Sequence, residues 1–416
     1  MRKYRVHAGV LEGDAMSIRS WFILTVILVG APALLLSCKQ RQEGPATAGG
    51  GPPPGGAKVA AAGEIRLGSY MCNTGSFATF GQSSTKAMQL AVEELNARGG
   101  VLGKKIRLTV EDDQCKPEEA ANAARKLIDQ DKVLCVIGEV ASSNSLAAAP
   151  ICQSSKTPMV TPSSTNPAVT KVGDFIYRIC FTDDFQGLVM ARYAAEDLGA
   201  RTAVIFSDVA SDYSKGLSQV FRRTFTSLGG QVLGEESYSQ GDKDFRAQLT
   251  KFQGLSPDVL YIPGYYGEVA LILLQAHELG LKVTPIGGDG WDSPKLVEIA
   301  GKAAEGGCFS NHYSKDDPNP VVQGFVSSFK AKHNEEPDAL AACAYDAIRI
   351  VAQALESAGK EDREALREAL SEIRDFDGVT GQITIDKDRN AKKSATILTI
   401  EDGKQAFVRT MEPPSE

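Results

Sequence analysis

The stretch "TPMVTPSSTNP", Thr157 to Pro167, opens like a strand and stops abruptly. Its apolar run ends in three consecutive hydroxyl residues, Ser163, Ser164 and Thr165, followed by an Asn before a proline. A loop that only had to turn would not need them. Upstream, "VLCVIGEV" (133–140) reads as a strand and "SSNSLAAAPICQSS" (142–155) as a helix opened by capping hydroxyls. Downstream, "DFIYRICF" (174–181) reads as another strand. The hydroxyls therefore sit where a strand yields in an alternating array.

The alternation extends in both directions. Toward the N-terminus lie a strand at 64–71, a helix at 81–100 with Ala87, Leu90, Ala91 and Leu95 at helical spacing, a strand at 105–113 and a helix at 116–131 with Pro117 in its first turn. Toward the C-terminus the pattern repeats. Helices at 185–200, 214–230, 244–255 and 267–281 alternate with strands at 202–208, 231–238, 258–265 and 284–290. A long helix at 338–358 comes next, then strands "GQITID" and "ATILTIEDG", expected to pair antiparallel. The fold class is α/β: two consecutive arrays, each a mostly parallel sheet flanked by helices.

Ligands of open parallel sheets bind beyond the carboxyl ends of the strands, where helix N-termini present free N–H groups. The first array places "MCNTGSFATFG", "DDQC", "EVASSN" and "TPSSTN" there; the second places "SDVASDYS", "PGYYGE" and "GGDGWDS". Hydroxyls and N–H groups suit a carboxylate, Asp289 suits an ammonium, and Phe77, Phe80, Tyr213, Tyr265, Tyr266 and Trp291 offer apolar walls. A small zwitterion fits this inventory. Taken singly, Ser142 or Ser164-Thr165 reads as a helix cap; two hydroxyl sites at strand ends of one sheet favour a ligand.

The ends of the chain differ in texture. Arg19 precedes an apolar run from Trp21 to Leu36 that closes on Ser37-Cys38, the order of a secretory signal, with Met16 a more natural start than Met1. A transmembrane anchor is the other reading of this run. "LLSC" (35–38) resembles a lipobox, which implies cleavage before Cys38 and lipidation of that residue, so that 1–37 is a signal peptide. Residues 38–63 are rich in Gly, Pro and Ala and read as a flexible tether. The net charge of -7 and the lack of a basic patch argue against nucleic acid. Of eight cysteines, those at 72, 115, 135, 152, 180, 308 and 343 come after Cys38. No CxxC pair and only four histidines speak against zinc, and nothing calls for a cofactor. Cys135 reads as core, and His277 as part of a solvated helix face.

The ordered set F-G-x5-A…N-x-x-G-G-V-L-G-K, DD-x-C-x-P, V-I-G-x-V-x-S-S and P-x-V-T-P-S-S-T-N-P resembles one family, the type I periplasmic binding proteins of branched-chain amino acid ABC transporters. The resemblance spans nearly all of 64–412. It implies two lobes joined by three hinge crossovers, one lobe from 64–182 with 313–379 and the other from 183–312 with 380–412. It also implies strand order 2-1-3-4-5 in the first lobe, a small amino-acid-like ligand, and an inner-membrane ABC permease as partner. Carried over by residue, Ser142 matches a serine that binds the ligand carboxylate. Ser163 and Thr165 match positions holding carboxylate and amino group, Tyr213 and Tyr265 the second-lobe aromatics, Asp289 the acid that meets the ammonium, and Phe80 an aromatic near the ligand side chain. Two features depart from the family. Its disulfide would join Cys115 to the position held here by Ala141, and Tyr266 and Trp291 make the second-lobe rim bulkier. Cys72 and Cys115 then come after neighbouring strands, so either a bridge between them or two free thiols is expected.

Three functions compete. One is an exported, lipid-anchored receptor on the periplasmic side that feeds a permease. Another is a lipoprotein sensor of the same fold. The third is an enzyme on a nucleotide-binding fold, against which stand the missing G-x-G-x-x-G, G-x4-G-K-[ST], G-x-S-x-G and HExxH motifs.

Overall fold

A computed structural model describes residues 63–413; the expected signal peptide, Cys38 and tether lie outside them. The first array comprises β1 (Glu64–Met71), α1 (Ala78–Ala97), β2 (Lys105–Asp112), α2 (Pro117–Asp129), β3 (Cys135–Ile137), α3 (Ser142–Ser154), β4 (Met159–Thr161) and β5 (Ile176–Arg178). The second comprises α4 (Asp183–Arg192), β6 (Thr202–Asp208), α5 (Asp212–Ser227), β7 (Gln231–Tyr238), α6 (Arg246–Gln253), β8 (Val259–Ile262), α7 (Tyr266–Glu278), β9 (Thr284–Gly287), α8 (Pro294–Ala300) and β10 (Cys308–Asn311). Then come α9 (Pro320–His333), α10 (Ala339–Ala358), α11 (Arg363–Ser371), β11 (Phe376–Gly378), β12 (Gly381–Ile385), β13 (Ala391–Lys392), β14 (Ala395–Glu401) and β15 (Lys404–Met411).

The first sheet runs β2-β1-β3-β4-β5, all parallel, and the second β15-β14-β10-β9-β8-β6-β7. Their central strands are buried on both faces, which is why they read as unbroken apolar runs rather than alternating ones. Helix α2 obeys its end signals, with Pro117 at the start, Glu118 and Glu119 in the first turn and Lys126 in the last. Helix α10 is capped by Asp338, whose side chain accepts from the Ala341 N–H, and ends on Gly359 at φ 67°. Its Ala341, Ala344 and Ala347 are fully buried, and the helix packs against α1.

The chain crosses between the two sheets after β5, after β10 and before β14. The expected pairing of the two terminal strands does not occur. Strand β12 pairs with β11 and β13, whereas β14 pairs antiparallel with β10 and with β15. The hairpin β14–β15 turns on Asp402 (φ 50°) and Gly403 (φ 70°). Two left-handed residues match the twist of a tight hairpin, so the "DG" dipeptide joins 395–401 to 404–411 rather than to 381–385. Strand β12 instead bonds back toward α11 through Ile385 N to Ile373 O, and Arg178 N donates to Arg389 O. Residues 381–392 thus lie beside the first sheet, and the chain enters the second at β14.

Cys72 and Cys115 form a disulfide with Cα atoms 4.7 Å apart, tying the loops after β1 and β2. Cys135 is buried in the core and His277 is exposed.

Candidate functional site

Loops leaving β3 and β4 build the first-lobe side. Glu139 is buried; its Oε1 accepts from Cys72 N (3.0 Å) and its Oε2 from Ala141 N (2.6 Å), which fixes the start of α3. Thr161 donates its hydroxyl to Glu139 O (2.8 Å), binding the β4 loop to the β3 loop. Ser142 Oγ accepts from Asn166 N (3.1 Å). Ser163 Oγ and Thr165 Oγ1 are buried and find no partner among the described residues.

Ser164 is placed differently from its expected role as a ligand contact. Its N–H goes to Thr161 Oγ1 (3.0 Å) and its hydroxyl to Glu139 O (2.8 Å), so both are consumed in shaping the loop. Of the three hydroxyls in the stretch, the middle one holds the backbone and the outer two are left for something else.

The second lobe contributes an acid with its own retinue. Tyr213 donates to Asp289 Oδ1 (2.8 Å), and His312 Nε2 lies 2.9 Å from Asp289 Oδ2. Burial lowers the His312 pKa, offset in part by Asp289, so the ring is held neutral. The carboxylate can only accept, which makes Nε2 the protonated nitrogen and leaves buried Nδ1 without a partner. Gln186 Oε1 receives Asp289 N–H and the Ser310 hydroxyl, each at 2.8 Å. Burial, and then the Asp289 charge, raise the Tyr213 pKa well above its usual value, so the phenol remains a donor.

Aromatic rings bridge the lobes. Tyr265 stacks on Tyr213 (5.3 Å) and on Phe77 of the opposite lobe (4.5 Å), while Phe80 meets the edge of Tyr266 at 5.0 Å. Trp291 does not add to the rim as expected. It is fully buried, donates to Ile262 O (3.0 Å) and packs near Phe309 in the second-lobe core. Direct bonds hold the lobes together: Ser143 Oγ with Asp212 N (3.0 Å), Asn166 Nδ2 with Asp212 O (2.7 Å) and Thr79 Oγ1 with Ser293 Oγ (3.3 Å).

The sequence reading missed Asp183, at the start of α4. It is fully buried, and among the described residues neither carboxylate oxygen has a hydrogen-bond partner. Thr165 Oγ1 stands beside it without closing a bond of normal geometry. Burial, reinforced by Asp289, pushes the Asp183 carboxyl well above its ordinary range. Tyr261 OH and Gln186 Nε2 are likewise buried and unpartnered. The "TDD" of 182–184 reads in sequence as an ordinary acidic first turn, and Thr182 indeed caps the helix. The signal hidden there is that one of two adjacent acids, Asp183, is buried while Asp184 faces out.

Elsewhere among the described residues, Cys72, Asp113 and Glu139 bring possible metal-ligand atoms within 4.8 Å. They do not suit an ion: Cys72 is bridged and both Glu139 oxygens serve backbone N–H groups.

Hydroxyls and N–H groups from the first lobe, and two acids and tyrosines from the second, with buried polar atoms left unpartnered among them, are groups suited to a small zwitterion. Comparison with known proteins identifies the family. The periplasmic binding protein family profile matches residues 64–405. A leucine-, isoleucine-, valine-, threonine- and alanine-binding protein of Pseudomonas aeruginosa is 31% identical over 322 residues, covering 77% of this chain and 85% of its own. Leucine-binding protein LivK of Thermotoga maritima is 44% identical with a TM-score of 0.81, covering 84% of this chain and 99% of its own. The isoleucine complex of LivJ from Streptococcus pneumoniae is 34% identical with a TM-score of 0.81, covering 84% and 100%. The chain belongs to the periplasmic binding protein family, among the branched-chain amino acid substrate-binding proteins.

Proposed function

We propose that the protein is a lipid-anchored receptor on the periplasmic side of a bacterial membrane that closes on a small α-amino acid and delivers it to an ABC permease. The carrying observation is a set of buried polar atoms on the loop after β4 and the first turn of α4 that have no partner among the described residues: Ser163 Oγ, Thr165 Oγ1, both Asp183 oxygens and Gln186 Nε2. Buried polar groups are normally satisfied, and a group of them left open between two closing lobes marks a ligand's place. Ser142, Ser163 and Thr165 take the carboxylate through hydroxyl and N–H groups. Asp183 and Asp289 take the ammonium, with Tyr213 and His312 fixing Asp289. Phe80, Tyr265 and Tyr266 form the wall for an apolar side chain. No covalent step is involved. The isoleucine complex of the similar LivJ supports an aliphatic side chain.

Calorimetry of the chain from Glu64 onward against L-leucine, L-isoleucine, L-valine and L-threonine tests the ligand, with native mass spectrometry to find any molecule that co-purifies. Binding of at least one is expected. Binding of none, with a co-purified molecule lacking an amino group, overturns the reading. For the anchor, Cys38→Ala should release the exported protein from membranes; retention through an alkaline wash would assign the attachment elsewhere.

A further inference from the structure

Arg178, the last residue of β5, is fully buried, yet among the described residues no carboxylate lies within ion-pair distance of it. Its guanidinium is spent on neutral oxygens. Nη1 donates to Ser164 O, Nη2 to Asn166 O and Nε to Asn390 Oδ1, each at 2.8 Å. A lysine could not make this set, because the planar fork reaches three acceptors at fixed angles. A buried charge whose nearest acids, Asp183 and Asp386, act on it only from beyond contact is costly and needs a reason.

The reason lies in the loop it grips. Ser164 C=O and Thr165 N–H belong to one planar trans peptide and point in opposite directions. Drawing the carbonyl onto Arg178 therefore turns the Thr165 N–H away from it. The neighbours of the gripped residues, Ser163 and Thr165, carry the two hydroxyls that have no partner. The same guanidinium reaches the turn before the third crossing. Asn390 Oδ1 also accepts from Thr170 Oγ1 (2.9 Å), Asn390 N donates to Asp386 Oδ1 (2.8 Å), and Arg178 N donates to Arg389 O (3.0 Å).

We propose that Arg178 is the positioning residue of the carboxylate subsite: it aims the Thr165 N–H into the cleft and supplies, from behind the loop, the positive charge that a ligand carboxylate compensates. The inference rests on the amino acid reading for its ligand and on the loop geometry for its mechanism. Asn390 extends it, since the same guanidinium links the loop to the turn from which the chain passes into the second sheet.

The test uses Arg178→Met, Arg178→Lys and Asn390→Ala, with L-leucine and L-leucinamide as probes and hydrogen exchange of the 163–166 amides as a ligand-independent readout. Arg178→Met should weaken leucine by about 30-fold or more, the lower range for truncating a buried charge partner, and leucinamide far less, so that discrimination between the two collapses. Arg178→Lys should retain part of the discrimination, while Asn390→Ala should keep the charge and loosen the loop. All three should speed exchange in 163–166 and leave β1 unchanged. If Arg178→Met does not fold, the other two variants carry the test. Equal weakening of both probes, or loop exchange at the wild-type rate, would reduce Arg178 to a structural residue and overturn the proposal. If wild type binds neither probe, the amino acid reading falls, and the exchange data still decide whether Arg178 sets the loop.

Discussion

Replacing Asp183 with Asn keeps the shape of the side chain and removes its charge. The carboxyl is fully buried, and among the described residues neither oxygen closes a hydrogen bond of normal geometry. Truncating one partner of a buried charge pair costs roughly 2–5 kcal/mol, and each ~1.4 kcal/mol is tenfold in affinity. The amide retains one acceptor for an ammonium, which places the loss near the lower bound, about 30-fold for L-leucine. The protein without ligand should respond differently. At neutral pH the folded protein must hold that carboxyl protonated where the unfolded chain ionises it, a cost an amide does not carry, so the variant's melting temperature should hold or rise. A proton accompanies binding as well. Burial and the Asp289 charge raise the Asp183 carboxyl, whereas an ammonium favours the ionised form. Binding then releases a proton, and affinity climbs with pH until the carboxyl of the free protein is ionised. Calorimetry of wild type and variant in buffers of different ionisation heat reads both quantities. An Asp183→Asn protein with wild-type affinity, native circular dichroism and the same buffer dependence would show that the carboxylate meets no ligand charge.

Three other outcomes can be measured. Phe77→Ala removes the ring that stacks on Tyr265 at 4.5 Å; such a pair is worth ~0.5–1.5 kcal/mol beyond its burial, so leucine should dissociate about twofold to twelvefold faster in stopped-flow, and an unchanged rate would exclude the stack from closure. Cys72→Ala with Cys115→Ala opens a bridge spanning 43 residues and should cost roughly 2–4 kcal/mol in denaturant unfolding of the oxidised protein; a loss under ~0.5 kcal/mol would mean the bridge contributes little. Asp113 is raised from 3.8 to about 7, chiefly by burial. The folded state holds that proton where the unfolded state has lost it, so this stabilisation is complete below about pH 4 and fades as pH rises through 7. Asp113→Asn should narrow the melting-temperature gap between pH 5.5 and 8, and an unaltered gap would rule out Asp113 as its source.

Most of the architecture could be read from periodicity because the central strands are buried on both faces, α2, α5 and α11 are amphipathic, and α4 and α10 are capped by Thr182 and Asp338. Helix α3 has neither signal, since no side chain caps its start at Ala141 as its hydroxyls led one to expect. The β2-β1-β3-β4-β5 order came with the family resemblance rather than from any residue pattern. What escaped was decided by pairings that leave little trace in the chain. Strand β14 prefers β10 and β15 over β12 because of a two-residue turn and an open sheet edge. The three hydroxyls of 163–165 divide their roles in a way that no spacing could supply, since that of Ser164 bonds to the Glu139 carbonyl while those of Ser163 and Thr165 have no partner among the described residues. Asp183 looked like a helix-start acid because it is one, and only its burial without a partner reveals more. His312 lacked any motif, and its bond to Asp289 depends on how β10 returns beside β9. Trp291 misled by proximity, since two residues after Asp289 the chain has already turned into the core.

That tryptophan also provides an optical reporter. Only two exist in the sequence, and the other, Trp21, falls in the expected leader. Trp291 is dry, anchored to the Ile262 carbonyl, and so close beneath Gly287 that a Cβ there would lie 2.1 Å from the indole. Its emission will be blue-shifted and will track the integrity of the second lobe alone, whereas circular dichroism averages over both. Superimposed denaturation curves from the two signals would mean that three chain crossings suffice to make the lobes melt as one unit, and a gap between the curves would measure how far each lobe stands by itself.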